Sequence, residues 1–361
     1  MNDQDVFSPD YATARTRFCD LASKLGWQVE SFPREGTGPQ GEPLVTDAAC
    51  SSEGDPAKVL VVSSAVHGVE GFFGSAVQWA LLRRWQKEGP LPIKCLFLHG
   101  INPFGFAWRR RFDENNVDLN RNFLLPGETF AGAPETYAKL DEFLNPHRPP
   151  SSWEPFMAKA AWLIVRYGMT ALRQAIATGQ YEFPQGLFFG GSRPSPLQSL
   201  LAENVPRWLQ GSEDVVHFDL HTGLGPKGTC KLLIDYPLND RQRTSLAKWF
   251  GEETFEESQT SGIAYEARGG LGRWCVAQQW APNYLYTCAE FGTYGSVTML
   301  KGLRAENQAQ HWCPPKDPRA IAAKDQLAEL FCPRDSVWRS QVIQRSYELV
   351  DQAVAGLLAD A

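Results

Sequence analysis

Short apolar runs alternate along the chain with segments whose apolar positions repeat every three to four residues. The run 58–64 (KVLVVSS) is short and rich in β-branched residues, which is typical of a strand buried on both faces. Segments 93–98, 215–220 and 284–289 have the same character, and residues 72–87 have helical spacing. Buried strands that alternate with helices predict an α/β fold, with a mixed, mostly parallel twisted sheet and helices on both faces.

The rest of the chain has weaker patterns, and in one region the alternation of strands and helices stops. These patterns predict helices at 11–25, 156–178 and 337–358, short strands at 27–32 and 43–46, and a loop at 311–318. Between residues 124 and 214 the alternation stops, and two proline-rich pieces bracket one helical stretch. We therefore expect a single α/β domain over residues 1–361, with a mainly helical and loop insertion at about 124–214.

Composition narrows the class of protein. Hydrophobic residues make up 43% and charged residues 21%, which is ordinary globular usage. The 35 basic and 41 acidic residues leave a net charge of −6, which argues against a nucleic-acid partner. The most apolar stretch, 160–165, is far shorter than the ~20 residues that a membrane span needs. We therefore expect neither nucleic acid nor membrane as a partner.

Two further features bear on location and on metal chemistry. The first ten residues are polar and acidic, without the basic and apolar regions of a secretory signal, so we expect a cytoplasmic location. Eight cysteines are scattered along the chain without a CxxC pair. They are expected to be reduced thiols, and a cysteine-based zinc site has little support.

Four predicted strands are followed by polar segments. These segments are 61–71, 98–123, 215–225 and 286–295. Ligands of open α/β sheets bind beyond the carboxyl ends of the strands, so the four segments are expected to meet at one site. The alternative is that each strand simply ends in a turn, since turns are rich in glycine, asparagine and aspartate.

The residue types in these segments favour a zinc hydrolase, whose ion takes three protein ligands and leaves one position for water. His67 and Glu70 are separated by two residues after a predicted strand, so one tight turn could aim both at a metal. His221, at the exit of another strand, is the preferred third ligand. His217 is its rival, because it shares a face with His221 if the strand continues. The remaining histidines are His99, His147 and His311.

Four motifs together resemble the zinc carboxypeptidases of the carboxypeptidase A type. The motifs are HGVE at 67–70, NPFGFAWRRR…NNVDLNRNF within 102–123, DLHTG at 219–223 and AEFGTYG at 289–295. The resemblance covers about residues 58–295 and is interrupted by the insertion, as in a bacterial branch of that superfamily. The aspartoacylase-like and succinylglutamate desuccinylase-like deacylases are related to it.

The resemblance implies a role for each motif residue. His67, Glu70 and His221 would bind one zinc ion, and Glu290 would be the general base. Asn120 and Arg121 would hold a substrate carboxylate. Asp118 would orient a zinc-binding histidine. These roles agree with general chemistry, because a histidine ligand usually donates its other N–H to a carboxylate. A guanidinium binds a carboxylate through two parallel hydrogen bonds.

Some assignments have alternatives. Glu290 could instead cap the turn after its strand, and Arg121 could pair with Asp118 or Glu114 in its own loop. The family also has an oxyanion-stabilising arginine within the run 109–111. Alignment on the Trp-Arg pair favours Arg109, whereas the distance to VDLNRNF favours Arg111. We prefer Arg111 as the catalytic residue and retain Arg109 as a substrate-binding residue.

The mobile tyrosine of the carboxypeptidases is harder to place. Tyr265 is the nearest residue to its expected position, but Arg268 and Arg273 lie close by in the sequence, and we do not assign the role.

The sequence thus predicts a zinc-dependent hydrolase of carboxypeptidase type. It would cleave a C-terminal amide bond of a peptide with a water that the zinc ion and Glu290 activate. The first alternative is a zinc amidohydrolase that deacylates small N-acyl amino acids with the same residues. The second is a non-catalytic peptide-binding module, which the presence of all three ligands and the base disfavours.

Overall fold

An eight-stranded mixed sheet forms the centre of this computed structural model, which describes residues 3–151, 153–257, 267–314 and 316–359. The strands are β1 (Gln28–Thr37), β2 (Pro43–Cys50), β3 (Asp55–Ser64), β4 (Ile93–His99), β5 (Asp214–Gly223), β6 (Cys230–Ile234), β7 (Phe255–Glu257) and β8 (Asn283–Gly292). Their order across the sheet is β1-β2-β4-β3-β5-β8-β6-β7.

The middle of the sheet is parallel. Strands β4, β3, β5 and β8 all run in one direction, whereas β2 and β6 lie antiparallel to them at either side. Consecutive residues of β3 and β5 are buried, so other elements cover both faces of these strands. The predicted fold class, a mixed and mostly parallel α/β sheet, is confirmed.

Helices account for most of the remaining chain. They are α1 (Tyr11–Lys24), α2 (Gly71–Glu88), α3 (Pro103–Trp108), α4 (Glu135–Leu144), α5 (Phe156–Tyr167), α6 (Met169–Ala177), α7 (Pro196–Trp208), α8 (Asp240–Phe250), α9 (Leu271–Ala277), α10 (Ser296–Trp312), α11 (Pro318–Phe331) and α12 (Ser336–Ala359). No helix in the described ranges is long and apolar enough to cross a lipid bilayer.

Several predicted elements differ from the observed ones. The helix predicted at 156–178 is two helices, because the chain turns at Gly168 with φ of 80°. The loop predicted at 311–318 is shorter, since α10 continues to Trp312 and α11 begins at Pro318. The pattern analysis did not identify strands β6 and β7 or helices α8, α10 and α11. Edge strands such as β7 are short, so they show little periodicity.

The region 124–214 contains α4 to α7, with long connections between them. Buried residues of α4, α5 and α6 pack with α10 and α11 into an apolar cluster separate from the main core. Helices that are distant in sequence therefore enclose a space beside the carboxyl ends of the central strands. The division into one domain with an insertion stays a prediction.

Candidate active site

The parallel strands bring the predicted site residues to one edge of the sheet. His221 on β5 and Glu290 on β8 are direct partners in the strand register. His67 follows β3, and residues Gly68–Glu70 form a short 3-10 turn that leads into α2. A Cβ atom at Gly68 would lie 2.1 Å from the carbonyl carbon of Gly105, so only glycine allows this turn to approach α3 so closely.

His67, Glu70 and His221 converge on one point. Their potential ligand atoms all lie within 4.8 Å of one another, and all three residues are buried. The Nδ1 atom of His67 lies 2.9 Å from one Glu70 carboxylate oxygen, and the Nδ1 atom of His221 lies 3.2 Å from the other. The backbone N–H of Thr222 also donates to Glu70, at 3.0 Å. Two imidazoles and one carboxylate thus face a common centre.

The opposite ring nitrogens of both histidines contact carboxylates. His67 Nε2 lies 3.2 Å from Asp118 Oδ1, and His221 Nε2 lies 2.6 Å from Asp219 Oδ2. At His221 the carboxylate keeps the proton on Nε2 and leaves Nδ1 free to bind a metal. His67 Nε2 also lies 2.6 Å from Arg111 Nη2, which can only donate. The donor set therefore fits a catalytic zinc ion, which takes nitrogen and oxygen ligands and keeps one position open.

Charge within the cluster agrees with this arrangement. Burial alone would raise the pKa of Glu70, but His67 and His221 hold that pKa below its usual value. Burial would likewise raise the pKa of Asp118, and the Arg111 guanidinium and His67 outweigh it, so that pKa is well below its usual range. Both acids are therefore carboxylates at neutral pH.

Glu290 lies beside the three converging residues. Its Oε1 accepts a hydrogen bond of 2.7 Å from the backbone N–H of Leu224, and its Oε2 lies 4.0 Å from the Cys288 sulfur. Burial and the nearby Glu70 charge raise the pKa of Glu290 to about 7. The backbone contact resembles the turn cap considered from the sequence, and Glu290 also lines the cavity described below.

The three consecutive arginines point in three directions. Arg109 ends α3 in a left-handed conformation, with φ of 54°, and forms an ion pair with Asp325 of α11. Arg110 is buried and donates to Glu306 at 2.8 Å. Arg111 Nε donates to Asp118 at 2.9 Å, and its Nη2 lies 2.6 Å from His67 Nε2.

Arg111 is therefore the arginine that the structure brings to the cluster. The prediction of Arg109 as a substrate-binding residue is not supported, because the left-handed turn directs its side chain towards α11 and it does not line the cavity.

Asn120 and Arg121 lie in a 3-10 turn, Leu119–Arg121, that follows Asp118. Asp118 Oδ1 accepts from the backbone N–H of Asn120 at 3.1 Å. Asn120 Oδ1 accepts from the N–H of Leu271 at 2.9 Å, and the Arg121 guanidinium donates to the carbonyls of Ala177 and Asn120 at 2.9 and 2.6 Å. Both side chains line the cavity, close to the end of α6.

The other histidines lie outside the cluster. His217 Nε2 contacts Ser63 Oγ at 2.7 Å and Nδ1 contacts the Tyr284 hydroxyl at 2.9 Å, both inside the sheet. His99 ends β4 and stacks on Phe18. His147 stacks on Trp312, and His311 lies within α10. Tyr265 falls outside the described residues.

Asp219 contacts His221, and the sequence did not predict this contact. Besides contacting His221, its carboxylate accepts from the Ser63 hydroxyl at 2.5 Å and from the Tyr286 hydroxyl at 2.9 Å. Alternation along β5 puts residues 219 and 221 on one face, which was the available signal. The buried hydroxyls keep the carboxylate, and through it the imidazole, in one orientation.

The cluster opens into a cavity of about 500 Å³. One end is lined by the converging residues together with Arg111, Asn120 and Arg121, and the other by apolar side chains of α4, α5, α6, α10 and α11. Apolar clefts with a few convergent polar groups are typical of small-molecule sites, and this volume lies in their usual range of roughly 300–1,000 Å³.

Solved structures share this fold. The bovine thrombin-activatable fibrinolysis inhibitor, in complex with tick carboxypeptidase inhibitor, is 11% identical with a TM-score of 0.50, and the match covers 98% of each chain.

Two further structures match more weakly. The murein-tripeptide amidase MpaA of Escherichia coli O157 is 17% identical over 85% of this chain and 93% of its own, with a TM-score of 0.36. The succinylglutamate desuccinylase of Chromobacterium violaceum is 15% identical over 91% and 76%, with a TM-score of 0.37. At this level of similarity neither informs the activity.

The comparison with curated protein sequences finds no match. The sequence family described as "Protein of unknown function (DUF2817)" matches residues 7–345, which include all four motif segments. The chain therefore belongs to that family, and it has the fold of the zinc carboxypeptidases with a His-Glu-His group at the position of a metal site.

Proposed function

We propose that this protein is a zinc-dependent hydrolase of carboxypeptidase type, which cleaves the amide bond that links a terminal amino acid to the rest of its substrate. The observation that carries the proposal is the convergence of His67, Glu70 and His221 beside Glu290, inside a cavity. A binding module without a metal would not require two imidazoles that each contact a carboxylate.

His67 Nδ1, Glu70 and His221 Nδ1 would hold the ion. A zinc ion bound there would supply Lewis-acid chemistry, polarising the scissile carbonyl and making water a better nucleophile at neutral pH. Asp219 keeps the His221 imidazole in the ligating orientation, because it accepts from the ring nitrogen that faces away from the centre. Asp118 lies 3.2 Å from the corresponding nitrogen of His67 and accepts from Arg111, which contacts the same nitrogen.

Glu290 would act as the general base. Its buried carboxylate faces the cavity, and burial raises its pKa to about 7, close to the pH at which it would work. In that role Glu290 takes a proton from the attacking water and delivers it to the leaving nitrogen. Arg111, beside His67, would stabilise the negative charge that develops on the carbonyl oxygen.

Asn120 and Arg121 would bind the free carboxylate of the leaving amino acid. A guanidinium and an amide together match the planar shape of a carboxylate. The two residues line the same cavity as Glu290, so a substrate could contact all three. The same arrangement would serve an N-acyl amino acid, since it also carries a free carboxylate on the amine side of its amide bond.

The deciding experiment combines metal analysis with Glu290→Gln. The parent protein should bind one zinc per chain and hydrolyse dipeptides or N-acyl amino acids. The Glu290→Gln variant should keep its zinc and lose activity by roughly 10²–10⁴-fold, the usual contribution of a general base. A His67→Gln variant should lose both zinc and activity. Hydrolysis that survives in Glu290→Gln would remove that residue from the mechanism.

A second experiment tests carboxylate binding. The parent should hydrolyse a free-acid substrate far better than its C-terminal amide, and Arg121→Ala should lose activity only on the acid. Equal parental rates on the acid and the amide would contradict the role of Arg121.

A further inference from the structure

The apolar end of the cavity is a defined chamber next to the proposed metal site. Six buried side chains form its wall, and we call this set the apolar chamber: Leu163, Leu172, Ile176, Met299, Leu303 and Phe331. They come from α5, α6, α10 and α11, and they belong to the cluster that is separate from the main core. The chamber is therefore built largely by the region 124–214 together with the helices that follow β8.

The chamber begins beside the proposed general base. A Cβ atom at Gly223 would lie 3.4 Å from Met299 Cε, 3.5 Å from Phe331 Cε1 and 3.6 Å from Glu290 Oε1. The apolar wall thus starts directly at the side chain that would face the scissile bond. A group attached to the scissile carbonyl would therefore lie next to this wall.

The proposed carboxylate-binding residues lie at the end of α6, next to Ile176 of the apolar chamber. Arg121 donates to the carbonyl of Ala177, at the end of α6, and Asn120 contacts Leu271 at the start of α9. A substrate whose carboxylate is held there and whose amide bond lies at Glu290 would have its acyl side beside Met299 and Phe331, where the apolar wall meets Glu290.

The apolar lining of the chamber favours an alkyl chain over a polypeptide. A polypeptide in this space would leave several backbone N–H and C=O groups without partners among apolar side chains, and each such group costs free energy. An alkyl chain has no such groups.

We propose that the chamber binds an apolar acyl chain, and that the substrates are amino acids acylated on their α-nitrogen with a medium-length or long alkyl acyl group. This inference rests on the proposed function and names its substrate class. Water adds to the acyl carbon and the C–N bond breaks. The products are a fatty acid carboxylate and a free amino acid, whose nitrogen receives the water proton through Glu290.

A chain-length series tests the proposal. The holoenzyme would be assayed with N-acetyl, N-butanoyl, N-hexanoyl, N-octanoyl and N-decanoyl derivatives of alanine, glutamate and lysine. Burial of each methylene should raise kcat/KM about fourfold until the chamber is full, after which the increase should stop. For a tetrapeptide with leucine before the scissile bond, kcat/KM should be at least about tenfold lower than for the N-octanoyl substrate.

Binding provides a readout that does not depend on turnover. Calorimetry with the Glu290→Gln holoenzyme should show tighter binding of N-octanoyl than of N-acetyl derivatives of the same amino acid. Equal affinities would overturn the proposal.

Two variants change the volume of the chamber in opposite directions. Ala160 on α5 lines the cavity and is buried, so Ala160→Phe should fill the chamber and lower the octanoyl-to-acetyl ratio of kcat/KM at least about tenfold. Leu172→Ala should enlarge it and move the best substrate to a longer chain. Ala161→Phe is the matched control, because Ala161 is the exposed neighbour on the same helix and does not line the cavity.

The outcomes separate the two proposals. Absence of hydrolysis on every substrate, with zinc bound, would overturn the proposed function. Hydrolysis without any dependence on acyl length, or peptides that equal the N-octanoyl substrates, would overturn the chamber proposal alone. A chain-length optimum that Ala160→Phe and Leu172→Ala shift in opposite directions, and that Ala161→Phe leaves in place, would support it.

Discussion

Replacement of Asp219 by asparagine tests how the second histidine of the proposed metal site is held. Asp219 Oδ2 lies 2.6 Å from His221 Nε2, and hydroxyls of Ser63 and Tyr286 bond to the same carboxylate. All four residues are buried, so water cannot easily replace a lost contact. The Asp219→Asn substitution keeps the shape of the side chain and removes the negative charge that makes His221 a stronger ligand.

The size of the effect follows from this geometry. A carboxylate behind a ligating histidine typically contributes roughly 10–100-fold in metal affinity, which is about 1.4–2.7 kcal/mol. We expect Asp219→Asn to weaken zinc binding within that range, measured by competition with a chelating dye at neutral pH. Its metal-bound form should also unfold at a lower temperature than the parent at the same free zinc concentration.

Two comparisons make this test specific. Ser63→Ala leaves the Asp219–His221 contact in place and removes one hydroxyl, so zinc affinity should fall by less than about threefold, the lower end of what one hydrogen bond contributes. His217→Gln should keep full zinc stoichiometry, because His217 contacts Ser63 and Tyr284 rather than the metal cluster. Zinc affinity of Asp219→Asn within about twofold of the parent would refute the reasoning.

Three other outcomes are expected. Arg111→Ala should lower kcat by about 10²–10³-fold, as expected for the loss of an oxyanion donor. Arg109→Ala should lose only an ion pair with Asp325 and keep full activity in the same assay. Arg110→Ala should destabilise the protein by about 1–3 kcal/mol in chemical unfolding, because it removes one of the two cations that pair with the buried Glu306 carboxylate and leaves only Lys324. Removal of zinc by a chelator should lower the melting temperature, since zinc at 1,000 times its Kd adds about 4 kcal/mol of stability; an unchanged melting temperature would argue against a bound metal.

The central strands could be predicted because burial on both faces leaves a local signature. Strands β3, β4, β5 and β8 are short runs of apolar and β-branched residues, and their limits were predicted within a few residues. Strands β6 and β7 carry no such run, since alternate residues of β6 are only half-buried and all three residues of β7 are. Helix α10 was missed because its buried residues include Arg304, Glu306 and Asn307, which a pattern of apolar positions does not count.

The residues of the candidate site likewise include some that the sequence identified and some whose roles stay predictions. The residue types of the His-Glu-His group could be selected from the sequence, because its members follow predicted strands, whereas Glu290 was selected through the resemblance to the zinc carboxypeptidases. A single domain with an insertion and a cytoplasmic location stay predictions, as do the catalytic roles of the site residues.

What the sequence determined by itself is the central strands and the chemistry at their ends, including the preference for His221 over His217, because both depend on neighbouring residues. The direction of each arginine in the run 109–111 depends on a left-handed turn at Arg109. The apolar chamber depends on helices more than a hundred residues apart. Only tertiary structure decided these features, because contacts between distant segments leave no periodic signal in either segment.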